Sequence, residues 1–280
     1  MSLPDLLIEP IVLASLAEDL GRAGDVTSAA CIPAEARLAA AFVARQGGVV
    51  AGLACARLAV TALDPAARFE AVVADGASVA AGQILARVEA NARALLAAER
   101  TALNLLCRLS GVATLTAAYV AETAGTAARI IDTRKTTPGL RALEKYAVRC
   151  GGGANHRFGL DDAILLKDNH VAACGGVGEA VRRARAAVGH MVKIEVEIDR
   201  LDQLDEALAE GPDIVMLDNF SQVDLAEAVR RTDGRALLEA SGGVNLETVR
   251  AIAETGVDLI SVGALTHSAP ILDIGLDAEG

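Results

Sequence analysis

The 280-residue sequence predicts an α/β protein of two domains, the second a barrel or a doubly wound parallel sheet. Three observations lead there. From residue 128 onward six short apolar runs recur, ARIIDT (128–133), AILLKD (163–168), VKIEVEI (192–198), IVMLDN (214–219), LLEASGG (237–243) and LISVGA (259–264), each fit for a buried parallel strand. Between them stand helical patterns such as GEAVRRARAAV, LDQLDEALAE, VDLAEAVRRT and LETVRAIAETG, which set the later strands about 22 residues apart, a β/α spacing. The first 110 or so residues follow another rhythm, alternating apolar and polar positions between glycines.

Taken in order, ARLAAAFVARQGGVVAGL predicts a hairpin around Gly47 and Gly48, and FEAVVADGASVAAGQILARVEA predicts strands with glycine at the turns. A helical pattern from about 92 to 124 leads into the repeating part, and no Pro-, Gly- or Ser-rich tract separates the two domains. TTPG, behind the first apolar run, predicts a helix start with Pro138 near its first turn. Polar residues follow nearly every strand: Asp132 to Lys135, Lys167 and Asp168, Glu197, Asp218 and Asn219, Ser241 to Gly243, then Gly263. In a barrel those ends converge on one face, where ligands bind.

With 26 Lys and Arg against 37 Asp and Glu, the formal charge is −11. That argues against non-specific binding to nucleic acid or anionic lipid, which needs a broad basic surface. Five widely spaced cysteines without a CxxC pair suggest neither a disulfide framework nor a zinc site, and a reducing cytoplasm is the expected compartment. The first ten residues lack the pattern of a leader peptide, and no run of about 18 apolar residues marks a membrane span.

Against this acidic background residues 134–157, RKTTPGLRALEKYAVRCGGGANHR, hold six Lys or Arg, one His and a single acid, Glu144. A local basic cluster in an acidic chain points to a small anionic ligand. Arg134 and Lys135 directly follow a strand, where charge and free backbone N–H groups together make an anion site; a solvated loop is the plain alternative. Lys167 closes an apolar strand and could be a Schiff-base nucleophile, a clamp on phosphate or carboxylate, or a lysine whose stem is buried while its ammonium reaches water. Glu195 and Glu197 share one face of a strand and Asp218 ends the next, an arrangement suited to Mg²⁺ and sugar hydroxyls or to a structural ion pair. SGG (241–243) and GALT (263–266) occupy the last two β/α turns, the usual phosphate position of such barrels. Arg100 falls at helical spacing with Leu96, Leu103 and Cys107, so it is expected on an apolar stripe, without an acid three or four residues away among 96, 97, 103 and 104.

These residues together resemble the quinolinate phosphoribosyltransferase family. The resemblance rests on EDLGRAGDVTS (18–28), AERTALNLLCRLSGVAT (98–114), DTRKTTPGLRALEKYAVRCGGGANHRFGLDDAILLKDNH (132–170), EVEI (195–198), LDNF (217–220), EASGG (239–243) and SVGALTHS (261–268), which span nearly the whole chain in order. It implies an N-terminal α/β sandwich (1–110, joined by 267–280) and an incomplete, seven-stranded TIM-like barrel (111–266). It implies transfer of a phosphoribosyl group from phosphoribosyl pyrophosphate to quinolinate with decarboxylation, in de novo NAD biosynthesis, with Mg²⁺ as cofactor. Arg134, His156 and Arg157 would hold the quinolinate carboxylates, with Thr133 in the substrate site and Lys135 and Lys167 near the carboxylates and pyrophosphate. Glu197 and Asp218 would hold ribose hydroxyls and the Mg²⁺ shell; Ser241, Gly242, Gly243 and Gly263 would receive the 5′-phosphate. Arg100 would reach the neighbouring subunit's site in a homodimer. The acidic strand motif and TGGT-like loop of ordinary phosphoribosyltransferases are missing, as this separate class implies. The rival expectation is a molybdenum-transport-associated paralogue with a binding or accessory role.

Overall fold

The computed structural model describes residues 3–279. In chain order the first part comprises α1 (Asp5–Leu20), α2 (Val26–Cys31), β1 (Arg37–Ala44), β2 (Gly48–Val49), α3 (Leu53–Leu63), β3 (Arg68–Ala71), β4 (Ser78–Val79), β5 (Ile84–Asn91) and α4 (Ala92–Glu122). Then follow β6 (Arg129–Ile131), α5 (Arg141–Cys150), β7 (Ile164–Leu166), α6 (Asp168–Cys174), α7 (Val177–Ala187), β8 (Ile194–Ile198) and α8 (Gln203–Ala209). The chain finishes through β9 (Ile214–Asp218), α9 (Gln222–Thr232), β10 (Leu237–Ser241), α10 (Val249–Glu254), β11 (Leu259–Ser261), α11 (Ala264–His267) and β12 (Ile274–Ala278).

Two compact units result: residues up to 117 with 136–152 and 265 onward, and residues 118–135 with 153–264. The helix at 141–150 thus groups with the first unit, although a division at 110 would give it to the barrel.

In the first unit an antiparallel sheet runs β12-β1-β5-β3, and β2 pairs only with β4. The hairpin expected around Gly47 and Gly48 is therefore not formed. β1 pairs instead with β5 and β12, and only Gly48 and Val49 continue as strand, opposite Val79 and Ser78. α1 buries Ile8, Val12 and Leu16, one face of a helix at four-residue spacing. In the GDVTS string Asp25 caps α2, accepting the Thr27 and Ser28 N–H groups at 3.0 Å each, so this motif serves the fold. Gly111 in α4 has a comparable role, because a Cβ there would stand 2.0 Å from the Pro270 carbonyl oxygen. α4 is long and apolar enough by composition to cross a membrane, which the sequence reading did not expect. However, 61% of its most apolar window is buried inside the protein, as in a core helix.

Glu144, the one acid of the basic stretch, lies on α5 and is fully buried. It accepts from Arg108 Nε and Nη2 at 3.2 and 2.8 Å and from the Thr137 N–H and hydroxyl at 3.0 and 2.8 Å. Thr137 is thereby tied to Glu144, Pro138 sits in a turn, and the helix begins at Arg141, later than TTPG suggested. Glu144→Gln leaves Arg108 facing a neutral amide; with Arg108 side-chain exposure at 21%, the expected loss is about 2–3 kcal/mol, at or below the low end for a broken buried pair. Urea unfolding of the full chain checks this as a lowered midpoint.

The second unit is a parallel sheet in the order β6-β11-β10-β9-β8-β7. It has six strands where the family resemblance implied seven. The remnant of further pairing is one isolated parallel bridge, Ile131 to Ala154. GGGAN (151–155) carries three glycines and no β-branched residue, so it has little side chain to pack as a strand. Along β8, Ile194, Val196 and Ile198 are buried at 0–1% exposure, and Val215 and Leu217 of β9 at 0%. The alternate positions, Glu195, Glu197, Met216 and Asp218, therefore share the opposite face of the sheet.

Candidate active site

Residues of that second parity line two adjoining cavities of the second unit. The one toward the carboxyl ends, about 310 Å³, is lined by Thr133, Arg134, Lys135, Lys167, Glu197, Met216, Asp218, Ser241 and Ser261 among others. The other, about 220 Å³, is lined toward the strand starts by Arg129, Lys193, Ile214 and Leu259 and further in by Glu195. His156, Arg157 and Glu239 belong to both.

Asp132, fully buried after β6, organises the loop that brings His156 and Arg157 here. Its Oδ1 accepts the His156 N–H at 2.8 Å and its Oδ2 the Asn155 amide at 2.6 Å. Farther on, Asp162 accepts the Phe158 and Gly159 N–H groups at 2.6 and 3.1 Å, closing a turn that lets Arg157 Nη1 donate to the Ala163 carbonyl at 2.9 Å. Arg157 Nε is buried without a partner. Burial, and after it the charge of Arg134, pull the Arg157 pKa below the usual guanidinium value. A cation in that condition gains from an anion beside it.

Both ring nitrogens of His156 are used within the protein. Nε2 lies 2.9 Å from Glu195 Oε2, and Nδ1 accepts the Arg157 N–H at 2.7 Å. The ring lines the cavity, and its Nδ1 supports the Arg157 backbone. Lys135 N–H donates to Thr133 Oγ1 at 3.0 Å, which turns the chain after β6. Lys167 is exposed, at the end of β7. Burial raises the Glu197 carboxyl above its ordinary range, with Lys167 pulling it back and Asp218 adding to the rise.

At the next strand end Asn219 has φ 57, the left-handed region. That conformation lets its amide donate to Asp218 Oδ2 at 2.7 Å while its N–H meets the Ser241 carbonyl at 2.9 Å. Gly242 is required opposite, since at φ 89 an added Cβ would lie 2.2 Å from Asn219 Oδ1. Ser241 and Ser261 form the cavity wall there, with Gly242, Gly243 and Gly263 following them at the strand ends.

Of the six Lys and Arg and one His in 134–157, Arg134, Lys135, His156 and Arg157 meet at the cavity. Arg141, Lys145 and Arg149 instead lie on α5 of the first unit, where Lys145 is fully buried. Arg100 is also in the first unit and, contrary to the expected apolar stripe, is exposed while Leu103 and Cys107 are buried. It lines a cleft of about 260 Å³ with Ser15, Glu18, Asp19 and Asn104. Glu239 and Ser261 line the cavity as well, beyond the residues expected from the sequence. Glu239 had a usable signal, an acid two residues before Ser241 on an apolar strand. Burial first, and then the charge of Glu195, push the Glu239 carboxyl well above its ordinary range.

The family model of the quinolinate phosphoribosyl transferase C-terminal domain matches residues 112–277, and that of the N-terminal domain matches 25–110. The chain is 52% identical over 268 residues to the nicotinate-nucleotide pyrophosphorylase (carboxylating) of Mycobacterium leprae, covering 94% of each. It is 47% identical to a probable enzyme of that name from Bacillus subtilis, covering 93% of this chain and 89% of the other. The solved nicotinate-nucleotide pyrophosphorylase of Francisella tularensis superposes with a TM-score of 0.95 at 39% identity, over 99% of this chain and 98% of that one.

Proposed function

Since the chain belongs to the quinolinate phosphoribosyltransferase family, we propose that its barrel cavity joins quinolinate to phosphoribosyl pyrophosphate, releasing pyrophosphate and carbon dioxide and leaving nicotinate mononucleotide for NAD synthesis. The observation that carries this reading is the convergence of Arg134, Lys135, Arg157 and Lys167 on one cavity opposite Glu197 and Asp218. Two anionic substrates need such a lining. The accessory role of a molybdenum-transport-associated paralogue finds no support, since the relatives at 52% and 47% identity carry the enzyme's name.

Arg134 and Arg157 hold the two quinolinate carboxylates, and Thr133, Lys135 and Lys167 face the pyrophosphate side. Ser241, Gly242, Gly243 and Gly263 offer the 5′-phosphate small side chains and backbone N–H groups. The pyridine nitrogen attacks the anomeric carbon as the bond to pyrophosphate breaks. Little acid or base chemistry is required, so positioning and charge stabilisation carry the rate. The N-riboside is a ring cation. When the carboxylate beside its nitrogen leaves as carbon dioxide, the electron pair stays on a carbon next to positive charge and then takes a proton, so transfer precedes decarboxylation.

Glu197 and Asp218 supply oxygen donors from adjacent strand ends, a set that fits Mg²⁺ and ribose hydroxyls. The Asn219 amide, donating to Asp218 Oδ2 at 2.7 Å, would hold this carboxylate in place for that role. Bound there, Mg²⁺ would neutralise charge on the departing pyrophosphate. Arg100, exposed beside Glu18 and Asp19, acts in trans on the quinolinate site of a homodimer. Five free cysteines suit a reducing cytoplasm. In a direct assay the purified protein should form nicotinate mononucleotide from quinolinate, phosphoribosyl pyrophosphate and Mg²⁺, and lose activity on chelation. Preferential turnover of nicotinic acid would reject the substrate assignment.

A further inference from the structure

Glu195 and Glu239 take no part in the steps above, yet both carboxylates are buried inside the barrel, 3% and 1% exposed. Their Oε2 atoms lie 2.9 and 3.7 Å from the same atom, His156 Nε2. The ligand atoms of all three residues lie within 4.8 Å of one another, and the Oε1 atoms of both glutamates are buried without a hydrogen-bond partner. Such a group invites a metal ion.

The histidine decides otherwise. Its Nδ1 accepts the Arg157 N–H at 2.7 Å and so carries a lone pair and no proton. The neutral ring therefore bears its hydrogen on Nε2, where it donates to Glu195 Oε2 and cannot ligate a cation. A buried pair of carboxylates is held at lower cost with one shared proton than with two charges. Glu239 is the more buried of the two and the farther from the N–H donor, so the proton resides on it.

We propose that Glu239 and Glu195 are positioning residues for the quinolinate clamp: Glu239, as the acid, donates to Glu195; Glu195 fixes the Nε2–H tautomer of His156; and His156 Nδ1 holds the Arg157 backbone. The chain of donors runs from the barrel floor to the cation in the cavity, and every link is directional. Reversing any one would turn the ring or release the Arg157 peptide. The proposal rests on the assignment of Arg157 to quinolinate made above.

The test combines kinetics with ¹⁵N-histidine spectra, in which four histidines must be resolved and His156 identified by its substitution. The wild-type protein should show His156 with one protonated and one bare ring nitrogen. Glu195→Gln should raise the quinolinate KM about tenfold while leaving that for phosphoribosyl pyrophosphate within about twofold, the scale of one lost hydrogen bond to a charged group. It should also blur the His156 tautomer. Glu239→Ala should act similarly, and Glu239→Gln, which restores a donor toward Glu195, should recover most of the loss. A wild-type His156 protonated on Nδ1, or ring signals that shift on addition of Zn²⁺, would overturn the proposal and in the second case make the cluster a metal site. So would a quinolinate KM unmoved in Glu195→Gln, or Glu239→Gln as harmful as Glu239→Ala. Absence of quinolinate turnover in the wild type would instead sink the functional reading, with the tautomer still measurable.

Discussion

Arg157→Lys should lower kcat/KM for quinolinate roughly 10²- to 10³-fold, the scale of removing one donor that meets developing or fixed charge in a dry site. Arg157 spends Nη1 on the Ala163 carbonyl and leaves Nε buried without a partner, so its remaining donors can face the cavity. Lysine keeps the positive charge but has one ammonium, which cannot hold the Ala163 carbonyl and also grip a carboxylate in a planar, paired contact. The effect should fall on quinolinate, with the circular dichroism spectrum and thermal midpoint close to those of the wild type. Near-normal kinetics would make Arg157 a structural cation of the 157–163 turn.

The second large effect is a recovery of activity. If Arg100 is donated to a neighbouring subunit and Arg157 receives substrate, as proposed, Arg100→Ala and Arg157→Ala should each be nearly inactive, for different reasons. When subunits of the two variants exchange, each mixed dimer contains one intact site. Statistical pairing makes half the dimers mixed, so roughly a quarter of full activity should return. With exchange verified by mass, no recovery would mean that Arg100 works within its own chain or outside the reaction. The exposed position of Arg100, in a cleft with Glu18 and Asp19, is compatible with a residue offered to another subunit.

Much of the barrel was legible because its strands are short apolar runs with a polar residue at the carboxyl end. The runs at 128–133, 163–168, 192–198, 214–219, 237–243 and 259–264 hold β6 to β11, and residues at their carboxyl ends line one cavity. What pattern reading lacked was partner choice. Gly47 and Gly48 carry a turn signal, but whether β1 pairs with its successor or with β5 and β12 depends on contacts far along the chain. Likewise the cluster of charge in 134–157 is contiguous in sequence but not in space: α5 draws Arg141, Lys145 and Arg149 into the first unit. Arg100 shares its helical spacing with buried residues, yet spacing alone did not reveal that it stands at the edge of the stripe. Glu239, an acid inside an apolar strand, acquires a meaning only from its spatial neighbours Glu195 and His156.

Release of labelled carbon dioxide from quinolinate carrying the label in the carboxylate beside the ring nitrogen tests the central claim most directly. The mechanism predicts release equal to the pyrophosphate formed, and none when phosphoribosyl pyrophosphate is omitted, since the ring must first become cationic. Carbon dioxide released from quinolinate alone, or pyrophosphate formed without it, would contradict the account.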